Sequence, residues 1–123
     1  MLAGTPFVVF LATRDSAKAR AFYGGTLGLR LVADEPFALV FDLQGTPLRI
    51  QKVESFTAQP FTAFGWTVKD IRATVAALAG AGVVMQRFPG MEQDAAGVWT
   101  SPGGARVAWF HDPDGNTLSL TEH

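Results

Sequence analysis

A chain of 123 residues, 48% hydrophobic and 17% charged, has the size and apolar content of one globular domain with a sizeable core. A formal charge of −1 with scattered Lys and Arg gives no basic footprint for nucleic acid or an anionic membrane surface, and zero cysteines remove disulfides, thiolate metal sites and cysteine nucleophiles together. The apolar start lacks a cationic flank and breaks at Arg14-Asp15, which argues against a signal peptide or membrane span and for a cytoplasmic protein.

Residues 7–13 form an apolar, β-branched and aromatic run that reads as a buried strand, and Asp15 then offers an N-cap to a short Ala-rich helix. Ala19, Phe22 and Tyr23 fall at i, i+3 and i+4 on one inward face, and Gly24-Gly25 with Gly28 are expected to end the helix. Short strands follow over residues 29–33, 37–43 and 48–53, separated by Asp34-Glu35-Pro36 and by Gln44-Gly45-Thr46-Pro47. The first half reads βαβββ.

The order then repeats. Residues 61–68 read as a strand, and Asp70 caps a helix whose stripe is Ile71, Val75 and Leu78. Gly80 and Gly82 end it before a strand expected over 83–88. Arg14-Asp15 and Lys69-Asp70 are 55 residues apart, a period that suggests duplication of one supersecondary unit. A Gly- and acid-containing loop over 91–97 is a candidate mobile cover, and a hairpin over 106–121 closes the chain.

The hairpin turn Asp112-Pro113-Asp114-Gly115-Asn116, the Ala21-Phe22-Tyr23 and Leu27-Gly28-Leu29 segments, and the two Asp-capped helix entries occur in this order along nearly the whole chain. Together they resemble the vicinal oxygen chelate superfamily, the group that contains glyoxalase I, extradiol dioxygenases, fosfomycin-resistance enzymes and bleomycin-resistance proteins. The resemblance implies an α+β fold: one domain over 1–123 of two βαβββ modules, about 5–55 and 60–123, forming a curved mixed sheet with a concave cleft. It also implies a homodimer whose chains complete each other's clefts.

In metal-dependent members, four side chains reach into the concave face, usually His, Glu or Gln, His and Glu, a set suited to Zn, Ni, Mn or Fe(II). Carried onto this sequence, the positions are Val8, Ile50 or Gln51, Ala63 and Ser119. Of these, only Gln51 offers even weak coordination. The two histidines, His111 and His123, are not spaced to rebuild the site, and Asp112 and Asp114 read as turn formers. The expectation is therefore no metal and no other cofactor. Ser16, Ser55, Ser101 and Ser119 lack a triad or nucleophile-elbow context, and Glu92 and Asp94 read as solvated loop acids.

If Val8 and Ala63 mark the concave side, as the resemblance implies, strand alternation adds Phe10 and Ala12, then Gly65 and Thr67, then Thr117 and Thr121 beside Ser119, and leaves Trp66 in the core. This small, apolar, hydroxyl-bearing surface suits a planar, largely neutral organic molecule. Trp99 and Trp109 are candidate rim aromatics, and Arg49, with Gln51 near it, is positioned to meet a polar or anionic group. The preferred reading is a metal-free binding protein similar to bleomycin-resistance proteins, sequestering a small organic ligand, with antibiotic resistance as the implied role. The alternatives are a glyoxalase- or dioxygenase-like lyase or oxidoreductase with atypical metal ligands, and an interaction module whose cleft is plugged by Phe10.

Overall fold

Apolar side chains at alternate positions of successive strands need a cover on one side only, and each half of the chain meets that need with its own sheet and helix. The computed structural model describes residues 1–123, which divide into two compact units, Met1–Thr57 and Ala58–His123.

The first unit contains β1 (Val9–Thr13), α1 (Ser16–Arg20), β2 (Arg30–Asp34), β3 (Ala38–Leu43) and β4 (Thr46–Lys52). Its sheet has the order β1-β4-β3-β2, with β1 parallel to β4 and the other pairs antiparallel. Asp15 caps α1 by accepting a hydrogen bond from the Lys18 backbone N–H at 3.2 Å. The helix does not stop at Gly24-Gly25. It widens into a π-helical turn over Ala21–Thr26, closed by the Leu27 N–H donating to the Phe22 carbonyl at 2.8 Å. The wider turn still delivers Tyr23 to the sheet, where its ring lies 6.0 Å from that of Phe41 and is fully buried. Leu39, Phe41, Leu48 and Ile50 complete this core, each side chain contributing about 1.5–3 kcal/mol by leaving water.

The second unit repeats the plan with β5 (Thr62–Thr67), α2 (Ile71–Gly80), β6 (Trp99–Thr100), β7 (Arg106–His111) and β8 (Thr117–Glu122), in the sheet order β5-β8-β7-β6. Asp70 caps α2 as Asp15 caps α1, accepting from the Ala73 N–H at 3.1 Å, while the Glu122 carboxylate accepts from the Ile71 N–H at 2.8 Å. Ile71, Val75 and Leu78 turn inward as their spacing requires. Trp66 stacks on Phe110 at 6.3 Å and packs beside Phe64 at 4.9 Å.

The strand expected over 83–88 does not form. That segment makes one ladder-like bond, Gln86 N–H to the Trp109 carbonyl at 2.7 Å, and β7 takes Trp99–Thr100 as its strand partner instead. Side-chain bonds supply the reason. The Phe88 N–H donates to the Gln93 side chain, and that side chain's amide donates to the Gln86 and Gly97 carbonyls, so backbone groups that a ladder would use are already satisfied. No helix is long and apolar enough to cross a membrane.

Candidate functional site

Each sheet has a face away from its helix, and the candidate residues divide between the two. On the first sheet, Leu48 and Ile50 of β4 point into the core, which sends Arg49 and Gln51 to the opposite, open face. There Arg49 is in register with Phe10 on one side and Val40 on the other, and Gln51 with Ala12 and Ala38. Val8 and Phe10 are exposed, Phe10 by 52%. The Arg49 guanidinium donates to the Glu35 carboxylate at 3.2 Å, and both side chains are partly open to solvent.

On the second sheet the open face carries a corresponding row. Gly65 pairs with Ser119, which pairs with Trp109; one step along, Thr67 pairs with Thr121, then Val107, then Trp99. Ala63, Gly65 and Thr67 are exposed and Ser119 is half-buried. Trp109 is the centre of an aromatic group, 6.2 Å from Trp99 and 5.4 Å edge-on from Phe88, and its indole N–H donates to the Thr62 hydroxyl at 3.2 Å. Beside it, Phe88, Met91, Glu92 and Trp99 line a shallow hollow of about 510 Å³ that is widely open to solvent. Phe88 is the member that sequence reading missed. Its segment reads as a regular strand, and alternation in a strand does not turn its ring toward Trp109.

The loop expected as a mobile cover is bonded along its length. Asp94 accepts from the Val98 N–H at 3.0 Å, the Ala96 N–H at 2.9 Å and the Arg72 guanidinium at 2.6 Å, while Arg87 donates to the Ala95 carbonyl at 2.8 Å. The Val98 N–H is the largest influence holding the Asp94 carboxyl below its ordinary value, partial burial opposes it, and Arg72 and the Ala96 N–H add to the lowering.

Strand register corrects one site position. Phe10 pairs with Arg49, and Gly65 pairs with Ser119, while Phe10 and Gly65 are the same 55 residues apart as the two capping aspartates. The first-unit equivalent of Ser119 is therefore Arg49, not Ile50 or Gln51. Ile50 is buried on the helix side, and Gln51 lies one step further along the open face. With that equivalence the four positions hold Val8, Arg49, Ala63 and Ser119, where the resemblance alone points to Ile50 or Gln51 for the second. Two lack donor atoms, one is a fixed cation and one is a neutral hydroxyl, so this set does not fit a divalent metal. Nor do three or more His, Asp or Glu side chains gather elsewhere as a ligand group.

Asp112 belongs to the turn. One carboxylate oxygen accepts from the Asp114 and Asn116 N–H groups at 2.9 Å each, the other from the Asn116 side-chain amide at 2.8 Å. His111 is exposed at the end of β7. Arg106 pairs with Glu122 at 3.3 Å.

The sequence matches a family model described as the Glyoxalase/Bleomycin resistance protein/Dioxygenase superfamily over residues 6–120. Among solved structures, a member of that superfamily from Sphaerobacter thermophilus is similar with a TM-score of 0.74 at 24% identity, covering 98% of this chain and 99% of that one. A lactoylglutathione lyase from Agrobacterium tumefaciens gives 0.74 at 16% identity, covering 96% and 93%. The fosfomycin resistance protein FosX from Listeria monocytogenes gives 0.72 at 15% identity, covering 95% and 91%. No functionally curated protein matches the sequence.

Proposed function

We propose that this chain, which belongs to the glyoxalase/bleomycin resistance protein/dioxygenase superfamily, binds a small organic molecule without using a metal. The observation that carries the reading is the set Val8, Arg49, Ala63 and Ser119 at the four positions discussed above, because metal-dependent lyase or dioxygenase chemistry needs donors there that these side chains do not supply. The surface left at the second sheet suits a planar aromatic or mixed-polarity ligand. Trp109 and Trp99 offer ring faces, and Ser119, Thr67 and Thr121 offer hydroxyls at neighbouring pairs of the same sheet.

The same reading makes the protein a cytoplasmic homodimer that acts by sequestration, in the manner of resistance proteins. In support, exposed Phe7, Phe37 and Phe61 leave apolar surface for a second copy, and two-fold pairing is the commonest assembly.

The test pairs metal analysis by plasma emission spectrometry, on protein purified without added metal or affinity tag, with tryptophan-fluorescence titrations of Ni, Zn, Mn, Fe(II) and naphthol. The expected result is substoichiometric metal, no saturable metal response and a saturable naphthol response. Stoichiometric metal, or tight saturable metal binding, overturns the reading.

A further inference from the structure

The open face of the first sheet carries a cation for which the core has no use. Arg49 sits at mid-strand on β4 between Phe10 and Val40 in register, with Ala12 and Gln51 one step along. Phe10, a large aromatic side chain half open to water beside a guanidinium, is an unusual pair to leave on a sheet surface. We infer that this face recognises a small aromatic carboxylate, with Arg49 receiving the carboxylate and Phe10 and Val40 meeting the ring. The inference stands on the first unit's own residues and not on the tryptophans of the second.

Three features favour that ligand chemistry. A guanidinium presents paired N–H donors that match the two oxygens of a carboxylate, which a lysine would not. The partner it already holds, Glu35, is itself a carboxylate at 3.2 Å on a side chain 44% exposed, so an incoming carboxylate exchanges like for like while Glu35 turns to water. Finally, a lone guanidinium matches a monoanion. A dianionic phosphate would bring a second charge with no cation at the neighbouring registered positions, which are Phe10, Val40, Ala12 and Gln51.

The experiment is a titration of the full-length, ¹⁵N-labelled chain with benzoate and with benzyl alcohol, an uncharged counterpart, followed by two-dimensional NMR of the protein and of the variants R49Q and E35Q. Benzoate is expected to shift the Phe10, Val40 and Arg49 signals saturably. Loss of a charge-assisted bond predicts binding weaker by about 10- to 100-fold for benzyl alcohol and for R49Q. E35Q, which keeps Arg49 and the core intact, is expected to bind benzoate more tightly because the competing carboxylate is gone. The inference is overturned if R49Q binds benzoate as the parent does, if E35Q weakens binding, or if benzoate leaves the three signals unmoved. It is also overturned if those signals move with protein concentration alone, which would make a second copy the occupant of the face. A saturable naphthol response of the tryptophans with no benzoate response at Arg49 would leave the binding-protein reading standing while removing this one.

Discussion

Gly65 lies opposite Ser119 across the parallel β5–β8 pair, and a Cβ at position 65 would run into the Ser119 hydroxyl and stand 2.5 Å from its carbonyl oxygen. The serine side chain therefore occupies space that any other residue at 65 would claim. Gly65→Ala is expected to lower stability by about 1–3 kcal/mol, the usual cost of overpacking a close contact. Denaturant midpoints measure it. Adding Ser119→Gly should recover part of the loss and not all, because the clash with the carbonyl oxygen remains.

Asp94 gives the second unit a pH-dependent fastening. Its folded-state pKa is lowered, chiefly by the Val98 N–H and further by Arg72 and the Ala96 N–H. A group shifted in this direction adds stability above its unfolded-state pKa, and that stability is lost as pH falls through the folded value. Asp94→Ala should therefore destabilise the protein at neutral pH, with the difference from the parent shrinking as pH falls below the ordinary carboxylate value of 3.8. Urea melts at neutral and acid pH measure the difference, and a gap of constant size would contradict the assignment.

Asp112 predicts a purely structural phenotype. Its buried carboxylate closes the β7–β8 turn through the Asp114 N–H, the Asn116 N–H and the Asn116 amide. Asp112→Ala leaves buried donors unpaired and is expected to cost about 2–5 kcal/mol in thermal or denaturant unfolding. Metal titrations of the folded variant should match those of the parent, as a turn role requires.

The parts of this protein legible in its sequence are those governed by short-range rules. Asp15 and Asp70 announced both helices because an aspartate before an apolar stripe satisfies the first free N–H groups. Alternation separates buried Leu11, Leu118 and Leu120 from exposed Phe10 and Gly65, but it does not set depth: Thr117, expected on the open side, is buried, and Trp66, expected in the core, is half-buried. What failed turned on choices between competing bonds that residue type does not decide. Residue pattern alone does not show that the Gln93 side chain will bond the 86–88 backbone five to seven residues away and keep it out of the sheet, nor that the helix will pass through Gly24-Gly25 as a π turn. The placing of Arg49 needed register, since moving a strand by one residue exchanges its faces. Counting within one module left Ile50 and Gln51 both open; pairing β4 against β1 and β8 against β5 decided for Arg49.

Gly97 shows how closely the loop before β6 is seated. Its φ is +88°, and a Cβ there would lie 2.7 Å from the Met85 Cβ. Gly97→Ala thus combines an unfavourable backbone conformation with a steric conflict and is expected to cost about 1–3 kcal/mol. The loss should be accompanied by faster amide exchange over residues 93–98, where Asp94 and Gln93 make their backbone bonds.

Trp109 is where packing and ligand binding make different predictions. Its indole N–H is held by Thr62, and its ring meets Trp99 and Phe88 on the open face, whereas Trp66 stacks on buried Phe110. If the open-face rings receive a ligand, Trp109→Phe should weaken naphthol binding by about 3- to 10-fold, the equivalent of one aromatic contact. Trp66→Phe should lower the unfolding midpoint while leaving naphthol affinity near that of the parent. Thr62→Val removes the bond that orients the indole and should weaken binding less than Trp109→Phe does. Were the cluster only packing, Trp109→Phe would shift the unfolding midpoint and leave the naphthol titration unchanged, so fluorescence titration and denaturant melts on the same three variants separate the two roles.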